Sequence, residues 1–434
     1  MSAHRSNTTH GPENRGAKQK KIVLVAKHFG HNAGGEAIKA YQFAAHLRRH
    51  GAAVVVITHA RALAAQGGDD LDVEKIVVPD TGLQRVFWRV PLLRGLLDTH
   101  FHLAVRRLIR AHVPPNPDTV LHYIGPVSPV QPRFFPRGYD VVLGPLTGNI
   151  SYPPAFRHRM SWRARLSDHI HKASQMLLGW TLREKQRSKV ILVSGYERTR
   201  ASLRAAGARD DQMVDVVDSG VSDRIYARNR ASHVGINPRF VCSGRMVDHK
   251  GVDLAIRAMA RTDPSIRLDI YGDGEKRAAL EALAASEGVA ERVRFLGWIE
   301  SDDLLDALAN YRGYVFPTLA EANGIVMQEA MMMGLPVIAT RWGGPEKLAD
   351  DDAAWYVDPV DADAMIASIA EAMTCLAHDP ERAERLSRNA RSIAEARFPW
   401  DAVSRSWMDA AYGPEPLVEL QSDERETDPI RAAP

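Results

Sequence analysis

The sequence predicts an α/β protein built from two Rossmann-like, doubly wound domains that face each other across a cleft. Three observations predict it. Short β-branched runs alternate with helical repeats along the chain. That alternation stops once near the middle and starts again, and the 434 residues exceed what one core of ordinary size holds. Hydrophobic residues at 45% and charged residues at 25% are ordinary for a globular chain, so patterning and not composition carries the fold.

Residues 1–19 are polar and aperiodic, and 414–434 are acidic with prolines; both are expected to be disordered tails. The first domain is expected over residues 20–221. Lys21-Ile-Val-Leu-Val-Ala26 reads as a buried parallel strand, and the stretch from Gly30 to Gly35 as a flexible loop. Residues 36–50 place Ile38, Tyr41, Phe43, Ala44 and Leu47 near a helical repeat that Gly51 ends. Ala53-Val-Val-Val-Ile57 restarts a strand and completes a βαβ unit. Thr119-Val-Leu-His-Tyr123, Tyr139-Asp-Val-Val-Leu143 and Val190-Ile-Leu-Val193 read as further strands.

Residues 222–238, with Asn229, Ser232, Gly235, Asn237 and Pro238, have linker composition. A second strand series is expected over 239–397. Its runs are Arg239-Phe-Val-Cys-Ser243, Ile266-Arg-Leu-Asp-Ile270, Val293-Arg-Phe-Leu296, Gly313-Tyr-Val-Phe316, Pro336-Val-Ile-Ala339 and Ala354-Trp-Tyr-Val357. Helices such as 253–260 and 276–286 separate them. Ligands of open α/β sheets bind beyond the carboxyl ends of strands, so two such domains face to face form one cleft.

Composition excludes several classes. No apolar run approaches the roughly eighteen residues that span a bilayer, and residues 1–20 lack the apolar core of a signal peptide, so cytoplasmic residence is expected. Cys242 and Cys375 are the only cysteines; they suit neither a disulfide framework nor a metal cage and read as structural. The net charge of +3 says little, but Arg157 to Arg204 carries about a dozen Lys and Arg against three acids. Interleaved Trp162, Met176, Leu177, Leu178 and Trp180 would let helices there bury an apolar face while arginines reach acidic lipid head groups or an anionic acceptor. A solvated helical face is the plainer alternative. No nucleic-acid motif accompanies the charge, and nucleic acid is not expected as a partner.

The strongest chemical signal follows Gly313-Tyr-Val-Phe316, where Pro317-Thr-Leu-Ala-Glu321 leads through Asn323-Gly324 into a helical stretch from Ile325. Gly324 allows close backbone approach, and the first amides of the helix, with its dipole, suit a diphosphate. Glu321 can accept from sugar hydroxyls, and Glu329, one turn on, from both hydroxyls of a ribose. By spacing alone two solvated helix-flank charges read equally well. Context comes from Ser243-Gly-Arg245 and Lys250-Gly251, which deliver two cations at a strand end, suited to a leaving diphosphate.

These residues, with Gly272-Asp-Gly274, Phe295-Leu-Gly-Trp298 and Gly334-Leu-Pro336 before Gly343-Gly344, resemble glycosyltransferase family 4 over nearly the whole second domain. The resemblance implies the GT-B fold, use of a nucleotide-sugar donor, retention of anomeric configuration, no cofactor, and usually no metal. It places Arg245 and Lys250 on the donor diphosphate, Glu321 on the transferred sugar and Glu329 on the ribose. The backbone at Gly324, Ile325 and Val326 would contact phosphate, and Ile299 would lie against the base. Where the family commonly has Glu-Gly-Phe-Gly, this chain reads Glu321-Ala-Asn-Gly324, so Asn323 either adds a sugar contact or shapes the turn. The segment 398–413, opened by Phe398-Pro-Trp400, would cross back onto the first domain; an ordinary terminal helix is the alternative.

In the first domain Gly34-Gly35 resembles the family's glycine loop facing donor phosphate and acceptor. It lacks Gly-x-Gly-x-x-Gly spacing, and Thr58-His59 stand where a nicotinamide site needs an acid. His122 is the catalytic candidate for contact with sugar or acceptor, beside its reading as a core or strand-end histidine. Gly144-Pro-Leu-Thr-Gly148-Asn149 is assigned to the acceptor side. The acceptor is expected to be a hydroxyl, with the basic stretch suggesting a lipid-linked molecule reached at the inner membrane face during polysaccharide or glycolipid assembly. A nucleotide-sugar 2-epimerase of the same fold and an inactive sugar-nucleotide binder are the competing readings.

Overall fold

The computed structural model describes residues 20–31, 35–64, 71–90, 96–125, 128–129, 131–148, 151–228 and 238–413. Two wholly parallel sheets organise them, of seven and six strands. The first holds β1 (Lys21–Val25), β2 (Ala53–His59), β3 (Glu74–Val78), β4 (Thr119–Tyr123), β5 (Asp140–Leu146), β6 (Val190–Val193) and β7 (Met213–Asp215), in the order β3-β2-β1-β4-β5-β6-β7. The second holds β8 (Arg239–Ser243), β9 (Arg267–Tyr271), β10 (Val293–Gly297), β11 (Gly313–Phe316), β12 (Val337–Thr340) and β13 (Ala354–Val357), in the order β10-β9-β8-β11-β12-β13. Each order reverses once, between β1 and β4 and between β8 and β11, the kind of place where open sheets bind ligands.

Helices wind over both faces. In the first half they are α1 (Gly35–Arg49), α2 (Ala60–Ala64), α3 (Gly82–Arg89), α4 (Leu96–His112), α5 (Trp162–Thr181) and α6 (Tyr196–Ala205). In the second they are α7 (Val252–Met259), α8 (Arg277–Ser286), α9 (Ser301–Leu308), α10 (Ile325–Met332), α11 (Ala362–His378) and α12 (Pro380–Arg397), followed by α13 (Trp400–Tyr412). The apolar runs read as strands because both faces are covered. Ile22 and Leu24 of β1 pack in one layer with Phe43 and Leu47 of α1, while Val23 and Val25 pack in the other with Phe101, Val105 and Ile109 of α4.

Two strands went unread in the sequence. β3 and β7 lie at opposite edges of the first sheet, where solvent permits Glu74, Lys75 and Asp215 and where three residues suffice for β7. The expected tails, and residues 229–237 of the expected linker, lie outside the described residues.

α13 lies on the first sheet's side of the molecule. Trp407 is fully buried, its ring edge-on to Phe43 at 5.2 Å, and its indole Nε1 donates to the Val217 carbonyl at 2.8 Å. Lys20 Nζ donates to the Tyr412 carbonyl at 2.9 Å. The two segments that pass between the halves run together, with the Val221 amide donating to the Phe398 carbonyl at 2.8 Å.

The halves also touch elsewhere. Phe156, from the chain between β5 and α5, is buried among Leu254, Ile256 and Ile366 in the second half's core. Arg159 pairs with Asp253 at 2.7 Å, Trp342 Nε1 donates to the Ser151 carbonyl at 2.9 Å, and the Arg198 guanidinium lies 3.4 Å from the centre of the Trp342 ring.

Candidate functional site

β8 and β11 are neighbours, so the loops after Ser243 and Phe316 leave the second sheet side by side at its switch point. The first loop closes with a 3-10 turn, Asp248–Lys250, and Gly251 at φ 65°. A Cβ at Gly251 would stand 2.1 Å from the Pro317 carbonyl oxygen, so only glycine lets the loops meet backbone to backbone. They are then laced together, the Leu319 amide and the Thr318 hydroxyl both donating to the His249 carbonyl at 2.7 and 3.1 Å.

That lacing sets Lys250 against Glu321, and the Lys250 ammonium donates to Glu321 Oε2. Lys250 also stands 5.7 Å from the centre of the Phe316 ring. Arg245 is exposed at the start of the first loop, with no hydrogen bond or ion pair for its guanidinium among the described residues. His249 senses all three charges. Burial and then Lys250 hold its imidazole below the ordinary histidine value, with Glu321 opposing and Arg245 adding to the effect.

Gly324, at φ 86°, is the residue from which α10 starts, and no side chain caps the helix. The amides at Ile325 and Val326 are therefore those that an anion would meet, with Ile325 itself exposed. Glu329 stands on the second turn, where burial pushes its carboxyl up to about 7. Asn323 Nδ2 donates to Gln328 Oε1 at 3.4 Å, and the fully buried Gln328 donates to the Ser219 carbonyl at 3.3 Å. Of the two roles open to Asn323, shaping the turn is the one its hydrogen bond serves. Ile299, half-buried, follows the exposed Trp298 just beyond β10.

Across the molecule, Gly35 opens α1 with nothing within 4 Å of the place its Cβ would take, whereas Gly34 and Asn149 lie outside the described residues. His122 requires correction as a catalytic candidate. It is fully buried within β4, edge-on to Phe43 at 5.3 Å. Its Nε2 is 2.8 Å from the Gly144 carbonyl, which can only accept, and its Nδ1 is 2.6 Å from the Tyr412 hydroxyl. This network assigns the neutral tautomer with Nε2–H donating and Nδ1 accepting. Burial lowers its pKa to about 4, consistent with that neutral form. The core reading of His122 is the one the geometry supports: a strand-end histidine pinning α13 to β4.

The structure thus gathers Arg245, Lys250, Glu321, Asn323, Gly324, Ile325, Val326 and Glu329 at one switch point, while Ile299 follows β10, the edge strand two places from β8. Sequence reasoning missed the Lys250–Glu321 pair and the buried Gln328, because neither partner's orientation follows from spacing. His249 could have been singled out as the neighbour of Lys250.

Residues 227–393 match the family model described as glycosyl transferases group 1. The GDP-mannose-dependent alpha-(1-6)-phosphatidylinositol monomannoside mannosyltransferase of Mycolicibacterium smegmatis is 30% identical over 276 residues, which cover 57% of this chain and 69% of that protein. The chain belongs to the group 1 glycosyl transferases. The lipopolysaccharide core biosynthesis glycosyltransferase LpsE of Rhizobium meliloti is 33% identical over 172 residues, 39% of this chain and about half, 48%, of LpsE. Among solved structures, WaaG, a glycosyltransferase involved in lipopolysaccharide biosynthesis, matches 90% of this chain over 100% of its own, with a TM-score of 0.59 at 18% identity. That likeness makes the two-sheet architecture a GT-B fold. The protein is a glycosyltransferase of the class that draws on nucleotide sugars.

Proposed function

We propose that this glycosyltransferase holds a nucleoside-diphosphate sugar at the β8–β11 switch point and transfers the sugar, with retention of configuration, to a hydroxyl of a lipid-linked acceptor. The observation that carries the reading is the convergence of Lys250, Glu321 and the uncapped start of α10 beside the exposed Arg245. Two cations and a helix dipole meet the diphosphate, and a carboxylate stands at the edge of the same anion site for the sugar.

In this scheme the acceptor oxygen attacks the anomeric carbon from the face that the diphosphate leaves. The bond from sugar to phosphate oxygen breaks as the new glycosidic bond forms, and a phosphate oxygen takes the acceptor's proton. Arg245, Lys250 and the amides of Ile325 and Val326 stabilise the charge on the departing diphosphate. Glu321 orients the sugar hydroxyls and supports the positive charge that develops at the ring. Glu329 accepts from the ribose hydroxyls, and Ile299 lies against the base. Gly35 faces donor phosphate and acceptor across the cleft, and Gly144 to Gly148, at the end of β5, belong to the acceptor side.

The lipid-linked acceptor and a place at the inner membrane face are supported by the basic stretch from Arg157 to Arg204. A relative whose name states a phosphatidylinositol monomannoside points the same way. No helix among the described residues is long and apolar enough to cross a membrane, so that place would be peripheral.

The test is a screen of sugar nucleotides for protection against thermal unfolding, followed by NMR of the product with the protecting donor. Retained anomeric configuration is expected, and inversion would sink the front-face scheme. Donor incubated alone should be hydrolysed at most slowly; conversion to an epimeric sugar nucleotide would favour the epimerase instead.

A further inference from the structure

α5 turns its apolar side away from the protein. Trp162 and Trp180 are 69% and 75% exposed, and Leu166, Ile170, Met176 and Leu177 are each more than half exposed. At 3.6 residues per turn these six side chains fall within about 120° of the helix circumference. The opposite side is anchored. Gln175 and Gly179 are buried against α6, Ser202 Oγ donates to Gln175 Oε1 at 2.6 Å, and a Cβ at Gly179 would stand 2.5 Å from the Ala206 carbonyl oxygen. The helix cannot roll to hide its apolar stripe without breaking that contact. A continuous stripe of large apolar side chains, unlike scattered ones, marks an interaction surface.

We propose that α5 is an in-plane docking helix whose stripe enters the head-group region of an anionic lipid surface. The proposal deepens, and rests on, the reading of a lipid-linked acceptor. Charge decides the occupant. Exposed Arg165 borders the stripe and exposed His169 lies within it, exposed Arg157, Arg183 and Arg187 stand in the chain just before and after α5, and the helix sequence holds a single acid, Asp168. An anionic surface complements those charges, whereas a second copy of this chain would set like charges against like. Tryptophans at both ends suit the interface, where an apolar ring and a polar N–H are both satisfied. α5 also begins directly after the segment in which Phe156 and Arg159 grip the second half, so a docked helix holds both halves over the bilayer.

The test uses the full chain with vesicles of phosphatidylcholine alone or mixed with phosphatidylglycerol. Co-sedimentation with the mixed vesicles is expected, weakening with salt. Brominated acyl chains should quench emission that the Trp162→Phe, Trp180→Phe double variant has lost. Ile170→Glu combined with Leu177→Glu should lower vesicle binding about tenfold or more, while donor protection against unfolding stays as in the parent. Equal binding of parent and variant, or indifference to phosphatidylglycerol, overturns the proposal. So does a dimer that Ile170→Glu dissociates in a chain that ignores vesicles, since the stripe then serves a second copy. Turnover of a detergent-dispersed lipid acceptor by a chain that ignores vesicles overturns docking alone. Docking by a chain that glycosylates only soluble acceptors overturns the acceptor reading alone.

Discussion

The Lys250 ammonium and the Glu321 carboxylate, 71 residues apart in sequence, form an ion pair across the carboxyl ends of β8 and β11. Their side chains are only 19% and 21% exposed, so solvent screens the pair less than it would a surface pair. In the proposed reaction a donor diphosphate recruits Lys250 and leaves Glu321 to the sugar.

Lys250→Ala is therefore expected to weaken donor binding by roughly 10- to 100-fold, the range for a lost hydrogen bond to a charged group. Glu321→Gln should bind donor nearly as the parent does yet lose roughly 100-fold or more in kcat. Calorimetric titration with donor and initial-rate kinetics separate the two effects. Parent-like turnover by Glu321→Gln would remove Glu321 from the reacting centre.

Glu329 ties donor affinity to pH. Because burial raises its carboxyl to about 7, the folded chain favours the protonated form. That contribution to stability is complete below the ordinary glutamate value of 4.5 and is lost as pH rises through about 7. Ribose hydroxyls donate to the ionised carboxylate, so donor binding should strengthen as pH rises towards about 7 and weaken by up to about tenfold per unit below it. The phosphates of a sugar nucleotide do not titrate in this window. Glu329→Gln should flatten the profile and, without donor, raise Tm above neutral pH. A parent profile already flat would argue against the ribose contact.

Tyr412 and His122 give a stability prediction without a catalytic one. Tyr412→Phe leaves the buried Nδ1 of His122 without its donor and should cost about 1–3 kcal/mol in chemical denaturation. Donor affinity should not change. The depressed histidine pKa contributes stability above the ordinary histidine value of 6.5 that is lost as pH falls through about 4. Nitrogen NMR should find the Nε2–H tautomer at neutral pH; a charged imidazolium there would refute the assignment.

Phe156→Ala should destabilise the second half by about 3–5 kcal/mol although the residue belongs to the first half's chain. Calorimetry should show the second half melting earlier, and kcat should fall more than donor affinity. An unchanged Tm would mean that the grip on the second half is not maintained in solution.

Most strands that sequence reading found are covered on both faces, because burial forces a continuous apolar run; the edge strand β10, with Arg294 and Leu296 exposed, was found by its Val293, Phe295 and Leu296. The same reading passed over β3 and β7 because edge strands tolerate charge and brevity. In the candidate site the order of motifs was legible, since Gly251 and Gly324 are demanded by local backbone geometry. The Lys250–Glu321 pair was not, because it depends on β8 and β11 being neighbours, a long-range fact. His122 shows the reverse error. A strand-end histidine reads as reactive until the neighbours that bury it, Tyr412 from the far end of the chain among them, are in place.

By itself the sequence determined two parallel α/β halves, a glycine-punctuated anion site and a basic stretch rich in tryptophan, because periodicity and glycine placement are local properties of the chain. Only the tertiary structure decided that Lys250 meets Glu321, that Phe156 crosses into the other half's core and that α5 presents its apolar stripe to solvent. Each of those turns on which surfaces the folded chain buries together, and burial is a property of the whole molecule.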